Sequence, residues 1–377
     1  MNILIAGDYC PHYRVADMLS KQDYSFFDNV KSLIKKADYS IVNFECPIVE
    51  GDVKPITKCG PALRTNAYAV DSIKYAGFDC VTLANNHFRD FGDAGCKTTI
   101  EALNKNGIDY VGGGDNLREA QQVLYKEIKG SKVAFVNFCE NEFSIATDTR
   151  AGAAPLDAVD NYNQILEARS NADYVIVIVH GGHEYYQLPS PRMKKLYRHF
   201  ITIGADAVIN HHQHCYSGYE YYEGKPIVYG LGNFCFDKDK NTSVWHDGYM
   251  VTISLEKENV YIELIPYVQC REYPVVTLID GDKKQGFNTN IDVLNKIILN
   301  DELLKTRFDE WCNTRSQWIK SIFNSYHNRY LNAAASRGWI GRPASQKEMS
   351  VVMNYIMCEA HRDITLRVLF KDLNDYE

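Results

Sequence analysis

The sequence predicts an α/β fold, and three features of the chain indicate it. Short apolar runs alternate with amphipathic stretches of helical spacing as far as about residue 216. The run VIVIV at 175–179 is continuously apolar, which is typical of a strand buried on both faces of a sheet. From about residue 289 the pattern is helical. Alternating strands and helices favour parallel β-α-β units, followed here by a helical extension.

The individual elements are predicted from periodicity and from their flanking residues. Strands are expected at 2–6, 39–44, 78–84, 133–138, 172–179 and 205–210. Helices are expected at 26–37, 66–77, 95–107, 157–170 and 191–203. Gly77 and Gly107 close two of these helices, as glycine often does at a helix C-terminus. Beyond residue 216, antiparallel hairpins are expected at 219–230 and at 248–267, the second turning near Glu258 and Asn259.

A boundary is predicted in the polar, glycine-containing stretch 275–288. It divides the chain into an α/β domain at 1–280 and a helical subdomain at 289–377. A length of 377 residues suits one large domain with an appendage, or two domains. The helical part carries three of the four tryptophans, which is typical of a packing subdomain with an aromatic core.

Composition restricts the class of protein and its location. A hydrophobic content of 45% with 24% charged residues is that of a folded globular protein. The net charge of −7 is spread along the chain, which argues against nucleic acid as a partner, since that would need clustered Lys and Arg. We see neither a signal peptide nor an apolar run long enough to span a membrane, and therefore expect a cytoplasmic protein. The eleven cysteines include no C-x-x-C pair and are expected to be reduced thiols.

Polar residues of metal-ligand type follow five successive predicted strands. They are Asp8; Asn43 and Glu45; Asn85, Asn86, His87 and Asp90; His180, His183 and Glu184; and His211, His212 and His214. Each group alone has an ordinary structural interpretation as a turn, a cap or a polar loop. Because ligands gather at the carboxyl ends of strands in α/β sheets, the recurrence predicts one site. Carboxylate, amide and imidazole groups together suit Mn, Fe, Zn or Mg in an open, catalytic type of site.

The stretch VINHHQHCYSG at 208–218 places three histidines within four positions. If the chain stays extended past Asn210, side chains alternate, so that His212 and His214 share one face and His211 takes the other. This interpretation makes His212 and His214 the candidate ligands. His211 is then a packing residue or a residue that supports a ligand.

These residues, in this order, resemble the CapA family of capsule and poly-γ-glutamate synthesis proteins, which is related to calcineurin-like metallophosphoesterases. The resemblance runs from residue 3 to about 240. The similar segments are AGD (6–8), SIVNFECPI (40–48), GFDCVTLANNHFRDFG (77–92), GIDYVGGG (107–114), VIVHGGHEYYQLPSP (178–191) and GADAVINHHQHCYSGYEYYEGKPIVYGLGNFCFD (204–237). The resemblance implies a four-layer α/β/β/α sandwich with a metal site at one edge, followed by the C-terminal helices.

The resemblance also implies the site residues. Position by position, the metal ligands would be Asp8, Glu45, Asn86, His180, His212 and His214. His87 would be the catalytic histidine, with Asp90 as its orienting carboxylate. The chain departs from the superfamily pattern at Cys10, where histidine is frequent, and His12 would replace it only if the loop curled back. Other departures are Glu45 in place of a bridging aspartate, Asn210 in place of glycine and Gln213 in place of proline, so that one or two metal ions are expected.

Substrate contacts are expected from residues around these ligands. Arg14 and Arg89 are candidate anion binders, and Asn85 is a candidate substrate contact. Glu184 would either fix the tautomer of a ligand histidine or touch the substrate.

Two functions remain open. One is a metal-dependent hydrolase acting on a phosphoester, or on an amide of an anionic polymer. The other is a non-catalytic, metal-containing subunit that binds a polyanionic polymer or precursor, with other capsule-synthesis proteins as partners. A third interpretation gives the histidines purely structural roles. A protein of an envelope pathway without an export signal would work in the cytoplasm or peripherally at the inner membrane.

Overall fold

The chain is built on two large β-sheets and one short two-stranded sheet. The computed structural model describes residues 1–58, 60–238, 243–257, 259–323, 328–341 and 344–357. The strands are β1 Asn2–Cys10, β2 Tyr39–Phe44, β3 Cys80–Thr82, β4 Asp109–Val111, β5 Gly113–Gly114, β6 Leu124–Ile128, β7 Ser131–Cys139, β8 Gly152–Ala153, β9 Tyr174–His180, β10 Ala207–His211, β11 Tyr219–Tyr222, β12 Lys225–Val228, β13 Asn233–Phe236, β14 Asp247–Glu256, β15 Asn259–Gln269 and β16 Val276–Leu278.

Helices connect these strands and extend the chain beyond them. They are α1 Tyr13–Ser20, α2 Lys31–Ile34, α3 Tyr68–Ala76, α4 Gly92–Asn106, α5 Leu117–Ala120, α6 Ala158–Asn171, α7 Pro191–Thr202, α8 Ser243–His246, α9 Gly281–Leu299, α10 Asp301–Phe323, α11 Arg329–Ser336 and α12 Gln346–Met357. Local signals explain several boundaries. The Asp157 carboxylate caps the start of α6, and Gly77 and Gly107 close α3 and α4 with φ of 95° and 68°.

The first sheet has the strand order β16-β15-β14-β1-β2-β3-β4, with β13 also pairing with β1. Strands β1 to β4 and β13 are parallel, whereas β14 to β16 are antiparallel. Gly7 permits the close approach of β1 to the segment before β13, because a Cβ atom there would lie 1.9 Å from the carbonyl oxygen of Gly232. The backbone of Asp8, the next residue, is held by a hydrogen bond from its N–H to the carbonyl oxygen of Gly232 at 3.2 Å.

The second sheet has the strand order β11-β12-β10-β9-β7-β6. Its central strands β12, β10, β9 and β7 are parallel, and β11 and β6 are antiparallel at the edges. Every residue of β9 is buried, as its continuously apolar sequence predicted.

The two sheets pack face to face between outer layers of helices. The rings of Tyr39 on β2 and Phe135 on β7 stack with centroids 5.3 Å apart. Asn137 on β7 accepts a hydrogen bond from the backbone of Ala84, at the end of the first sheet, at 2.9 Å. Helices α3 and α4 pack beside the first sheet, and α6 and α7 pack on the second. The predicted α/β/β/α sandwich is confirmed.

The stretch 26–37 differs from its predicted helix. It forms a short 3-10 turn at Ser25–Phe27 and the single helical turn α2. Phe26 and Phe27 are both fully buried within this turn, and their rings pack edge to face with centroids 4.5 Å apart. The predicted hairpins after residue 216 are confirmed as β11–β12 and β14–β15. Glu258, which was predicted at the turn of the second hairpin, lies outside the described residues.

The chain divides into the units Met1–Leu304 and Lys305–Glu377, so the division falls later than the predicted stretch 275–288. Helix α9 belongs to the first unit because its apolar face is buried there. Phe287 lies against Tyr216 and Tyr249, with ring centroids 5.1 and 5.6 Å apart. The second unit is helical where it is described, and 358–377 lie outside the described residues. None of the helices in the described ranges combines the length and apolar character that crossing a bilayer requires.

Candidate metal centre

Buried ligand-type side chains meet where the carboxyl ends of the two sheets face each other. Asp8 lies near the end of β1, and Glu45 and Asn86 follow β2 and β3. His180 ends β9, and His212 follows β10. All of them are buried. Each sheet therefore supplies part of one polar cluster, as the polar strand ends of the sequence predicted.

Four possible ligand atoms converge around His180. Its Nε2 atom lies 3.0 Å from Asn86 Oδ1 and 3.1 Å from His212 Nδ1. The same atom lies 3.5 Å from Glu45 Oε1. Imidazole nitrogens, an amide oxygen and a carboxylate oxygen that face one another in this way match the ligand set of a first-row divalent ion.

A second group of ligand atoms shares Glu45 with the first. Asp8, Glu45 and His214 offer atoms that all lie within 4.8 Å of one another, as do Glu45, His180 and His212. His214 Nδ1 lies 3.8 Å from Asp8 Oδ2. Because Glu45 belongs to both groups, these residues would hold either one divalent ion or two.

Glu45 shows that these residues fit a metal ion. Both of its carboxylate oxygens are buried and accept no hydrogen bond within the described part of the chain. Burial, together with the negative charge of Asp8, raises the pKa of Glu45 well above its usual value. A buried carboxylate without donors is costly unless a proton or a cation compensates it, and a divalent ion between the two groups would do so.

The electrostatics of the surrounding groups also favour ligation. Burial lowers the pKa of His180 well below 6.5, and burial lowers the pKa of His214 to about 4. Both imidazoles are therefore neutral at pH 7 and keep a lone pair for a metal. Burial opposes ionisation of Asp8, but the adjacent His211 imidazole, whose Nδ1 lies 3.2 Å from Asp8 Oδ1, outweighs it and lowers the Asp8 pKa.

Further polar residues orient the ligands. The Asn43 amide donates to Asp8 Oδ1 at 2.8 Å and lies 3.3 Å from His180 Nδ1. Asn233 donates through Nδ2 to the carbonyl oxygen of Trp245, which turns its Oδ1 toward His214 Nδ1 at 2.9 Å. That contact fixes the orientation of the His214 ring.

The histidine-rich loop reaches the cluster by a route that the sequence did not predict. Strand β10 ends at His211, and the backbone then turns through φ of 93° at His212 and 53° at His214. The expected alternation of an extended strand is therefore wrong, although both predicted histidines reach the cluster. Positive φ angles are uncommon for residues other than glycine, and here they belong to the turn that brings both histidines to the cluster. His211 Nδ1 lies 3.2 Å from Asp8 Oδ1, in the supporting position expected for it.

His87, directly after Asn86, pairs with Asp90. His87 Nδ1 lies 2.6 Å from Asp90 Oδ2, which also accepts a hydrogen bond from the backbone of Leu63 at 2.7 Å. The Lys58 ammonium donates to Asp90 Oδ1 and lies 3.3 Å from His87 Nδ1. The Lys58 side chain is only 4% exposed. The Lys58 ammonium and the His87 imidazole thus meet on one buried carboxylate, which fixes the imidazole plane of His87.

Two predicted substrate contacts, both arginines, have their polar groups engaged within the protein. Arg14 pairs with both oxygens of Asp237 at 2.8 and 2.7 Å and donates to the carbonyl oxygen of Cys270. Arg89 donates to the carbonyl oxygen of Ala151 and to Asp93. These contacts do not support either arginine as an anion binder, because acceptors within the protein engage their donors.

The other two candidates differ from each other in exposure. Asn85 is fully buried. Its side chain donates a hydrogen bond to the carbonyl oxygen of Phe44 and accepts one from the backbone of His87, so Asn85 holds the segment after β3 against the end of β2. Glu184 is exposed, and its charge contributes to the raised pKa of Glu45. Glu184 therefore stays a candidate substrate contact.

Cys10 and His12 lie outside both ligand groups that the described residues form. Sequence reasoning missed Lys58, because lysine in a polar loop carries no motif. Asn233 lay within the segment LGNFCFD of the resemblance, which was the available signal for it.

Replacing Arg14 with alanine is expected to destabilise the fold without changing metal affinity. The change leaves Asp237, whose side chain is 1% exposed, without its bidentate partner, which should cost about 2–3 kcal/mol of unfolding free energy. Urea unfolding and manganese titration would measure both effects, with exposed Arg118→Ala as the control. Weakened manganese binding at unchanged stability would contradict this assignment and return Arg14 to the site.

The neutral His214 predicts a pH dependence of stability in metal-free protein. Its pKa is about 4 in the fold against 6.5 for an exposed histidine, so between these values the unfolded chain binds the extra proton. This contribution is fully present above pH 6.5 and is lost as the pH falls to about 4, by about 3 kcal/mol in all. Unfolding with a chelator at several pH values should give a shallower decline for His214→Gln than for wild type. An exposed-site control, His199→Gln, should follow wild type; identical slopes for all three would refute the burial of a neutral His214.

The fold and the site together define an α/β sandwich protein with a candidate divalent-metal centre between the carboxyl ends of two sheets. The chain belongs to the family described as "Bacterial capsule synthesis protein PGA_cap", whose model matches residues 2–238. This confirms the resemblance and its extent.

Two curated relatives carry related names. The chain is 32% identical over 247 residues to "Capsule biosynthesis protein CapA" of Bacillus anthracis, which covers 63% of this chain and 60% of the relative. It is 34% identical over 218 residues to "PGA biosynthesis protein CapA" of Bacillus subtilis, covering 57% of each. The chain therefore spans less than two thirds of either relative. Its likeness to a solved 5'-nucleotidase from Candida albicans is slight, with a TM-score of 0.40 and 14% identity over 84% of this chain and 57% of that one.

Proposed function

We propose that this protein is a metal-dependent hydrolase of capsule or poly-γ-glutamate synthesis, acting on a phosphoester or on an amide of an anionic polymer. The observation that carries the proposal is the convergence of Glu45, Asn86, His180 and His212 on one point, with His87 next to Asn86 in the sequence. The names of the relatives support the pathway, and the chemistry of the residues supports hydrolysis.

The residues divide into holding groups and a proton-handling pair. Asp8, Glu45, Asn86, His180, His212 and His214 would hold one or two ions, with Mn, Fe, Zn and Mg as the candidates. A bound divalent ion would polarise a phosphoryl or carbonyl oxygen and lower the pKa of water to about 7. His87 would donate a proton to the leaving group, and Asp90 would orient its ring through the contact at Nδ1.

A second candidate is a non-catalytic, metal-containing subunit that binds a polyanionic polymer or precursor. The observation that favours it is that the family's description and the names of the two relatives speak of synthesis and not of hydrolysis. Other capsule-synthesis proteins would then be its partners. A location in the cytoplasm or at the inner face of the membrane remains a prediction from the sequence.

Metal analysis combined with ester hydrolysis tests the proposal. Elemental analysis of purified protein is expected to find a divalent metal, and added Mn is expected to support hydrolysis of bis-p-nitrophenyl phosphate or p-nitrophenyl phosphate. Asp8→Asn should lose metal and activity together, whereas His87→Ala should keep metal and lose activity. Bound metal without hydrolysis would favour the binding subunit. Metal-free protein, with both variants like wild type in every assay, would exclude both candidates.

A further inference from the structure

We propose that Lys238, held against the rings of Trp245 and Tyr185, forms a subsite for a second anionic group of the substrate. The group would be a carboxylate or a phosphate on the same molecule whose reacting group lies at the candidate metal centre. The inference rests on the proposed function, which places a substrate at that centre. It extends the proposed function by naming the residue that binds a second part of the same substrate.

The lysine is fixed by aromatic contacts. Its Nζ atom lies 4.0 Å from the ring centroid of Trp245 and 5.1 Å from that of Tyr185. It also donates to the Tyr185 hydroxyl at 2.6 Å. The Trp245 indole N–H donates to the carbonyl oxygen of Phe236 at 2.7 Å, so the ring itself cannot turn freely. Cation–π attraction to these two rings therefore places the ammonium without using a carboxylate.

The same rings connect Lys238 to the ligand cluster. The Trp245 ring centroid lies 4.7 Å from that of His214, and the Tyr185 centroid lies 6.3 Å from it. The backbone N–H of Tyr185 donates to the carbonyl oxygen of Gln213 at 2.8 Å, within the loop that carries His212 and His214. The ammonium thus lies one aromatic ring away from a candidate metal ligand, a separation that one extended substrate can span.

The charge of Lys238 is left available. Among the described residues it forms no ion pair with a carboxylate, in contrast to Lys58 and Arg14, which are bound to Asp90 and Asp237. Burial lowers the pKa of Lys238, and the nearby exposed Glu184 acts against this. In a chain of net charge −7, a positioned cation beside the cluster would attract an anionic group and orient it.

The ligand class follows from these contacts. An ammonium with free N–H donors forms charge-assisted hydrogen bonds with carboxylate or phosphate oxygens. A single anionic group would already be satisfied at the metal centre. The subsite therefore selects molecules with at least two anionic groups along a chain, which is the chemistry of an anionic polymer or of a bisphosphate.

Binding measurements on the manganese-loaded full chain test the subsite without requiring turnover. The two-group probes are a γ-linked glutamate trimer and fructose 1,6-bisphosphate, which separate the carboxylate and phosphate sources, and inorganic phosphate is the one-group reference. Lys238→Met is expected to weaken binding of at least one two-group probe about tenfold. Inorganic phosphate and manganese should bind as in wild type. Lys238→Arg should retain most of the affinity for the two-group probe.

The control is Lys105→Met. Lys105 is exposed in the last turn of α4. This turn leads into the amino end of β4, at the opposite edge of the sheet from the candidate metal centre. Equal binding of the two-group probes by wild type and Lys238→Met, or no binding of either probe by wild type, would overturn the subsite. Failure of the hydrolase proposal would give a different experimental result. The nitrophenyl esters would remain uncleaved while Lys238-dependent binding persisted.

Discussion

Replacing Glu45 with glutamine is expected to lower divalent-metal affinity more than about 100-fold, because even changes to residues that only support a ligand cost 10–100-fold. Glu45 is the carboxylate that both ligand groups share. The amide keeps the shape of the side chain but removes the negative charge that would compensate the ion. Isothermal titration with manganese and thermal unfolding with and without the metal would measure the effect.

The same substitution should not destabilise the metal-free protein near pH 7.5. The raised pKa of Glu45 means that its contribution to stability is fully present below pH 4.5 and is lost as the pH rises through the folded-state pKa. Glutamine carries no such penalty, so metal-free Glu45→Gln should be at least as stable as wild type, whereas only wild type gains stability from manganese. The matched control is Glu101→Gln on the exposed surface of α4. A Glu45→Gln protein with wild-type manganese affinity would remove Glu45 from the centre.

Replacing His87 with alanine is expected to lower kcat by about 10²–10⁴-fold, the range for loss of a general acid, with manganese affinity retained. The imidazole is held by Asp90, and Asp90 in turn is held by Lys58 and by the backbone of Leu63. Steady-state hydrolysis of bis-p-nitrophenyl phosphate by the manganese-loaded chain would measure the loss.

Lys58 is expected to act through this pair as a positioning residue. Lys58→Met should lower kcat by about ten- to a hundredfold through misorientation of His87, and Lys58→Arg should restore part of it because a cation again meets Asp90. Lys54→Met, in the same loop but exposed, is the matched control. If His87→Ala and Lys58→Met hydrolyse the ester at wild-type rates, His87 and Asp90 have no catalytic role. A non-catalytic binding subunit would then be the better explanation of the protein's function.

The loop 50–64 explains why Lys58 was not predicted. Two backbone hydrogen bonds close its ends, between Val49 and Thr65 and between Thr65 and Pro47, each at 3.0 Å. Between these ends, most of the described residues are exposed, and they show no periodicity. Lys58 reaches Asp90 only because the closed loop folds over the end of β3. A contact that depends on loop closure leaves no regular trace in the sequence.

Local sequence patterns determined the β-α-β series, the hairpins after residue 216 and the family. They also determined which residue types stand at the strand ends, because a parallel sheet presents the carboxyl ends of its strands at one edge. That rule, with the resemblance, selected Asp8, Glu45, Asn86, His180, His212 and His214 as one set.

Only the tertiary structure decided how those side chains meet. It made Glu45 common to both ligand groups, brought His212 and His214 inward through left-handed backbone turns, and bound Arg14 to Asp237 instead of to a substrate. It also placed Lys238 between two rings beside His214. The physical reason is that periodicity records which face of its own element a residue occupies. The distance between side chains from different sheets and loops depends on how those elements pack.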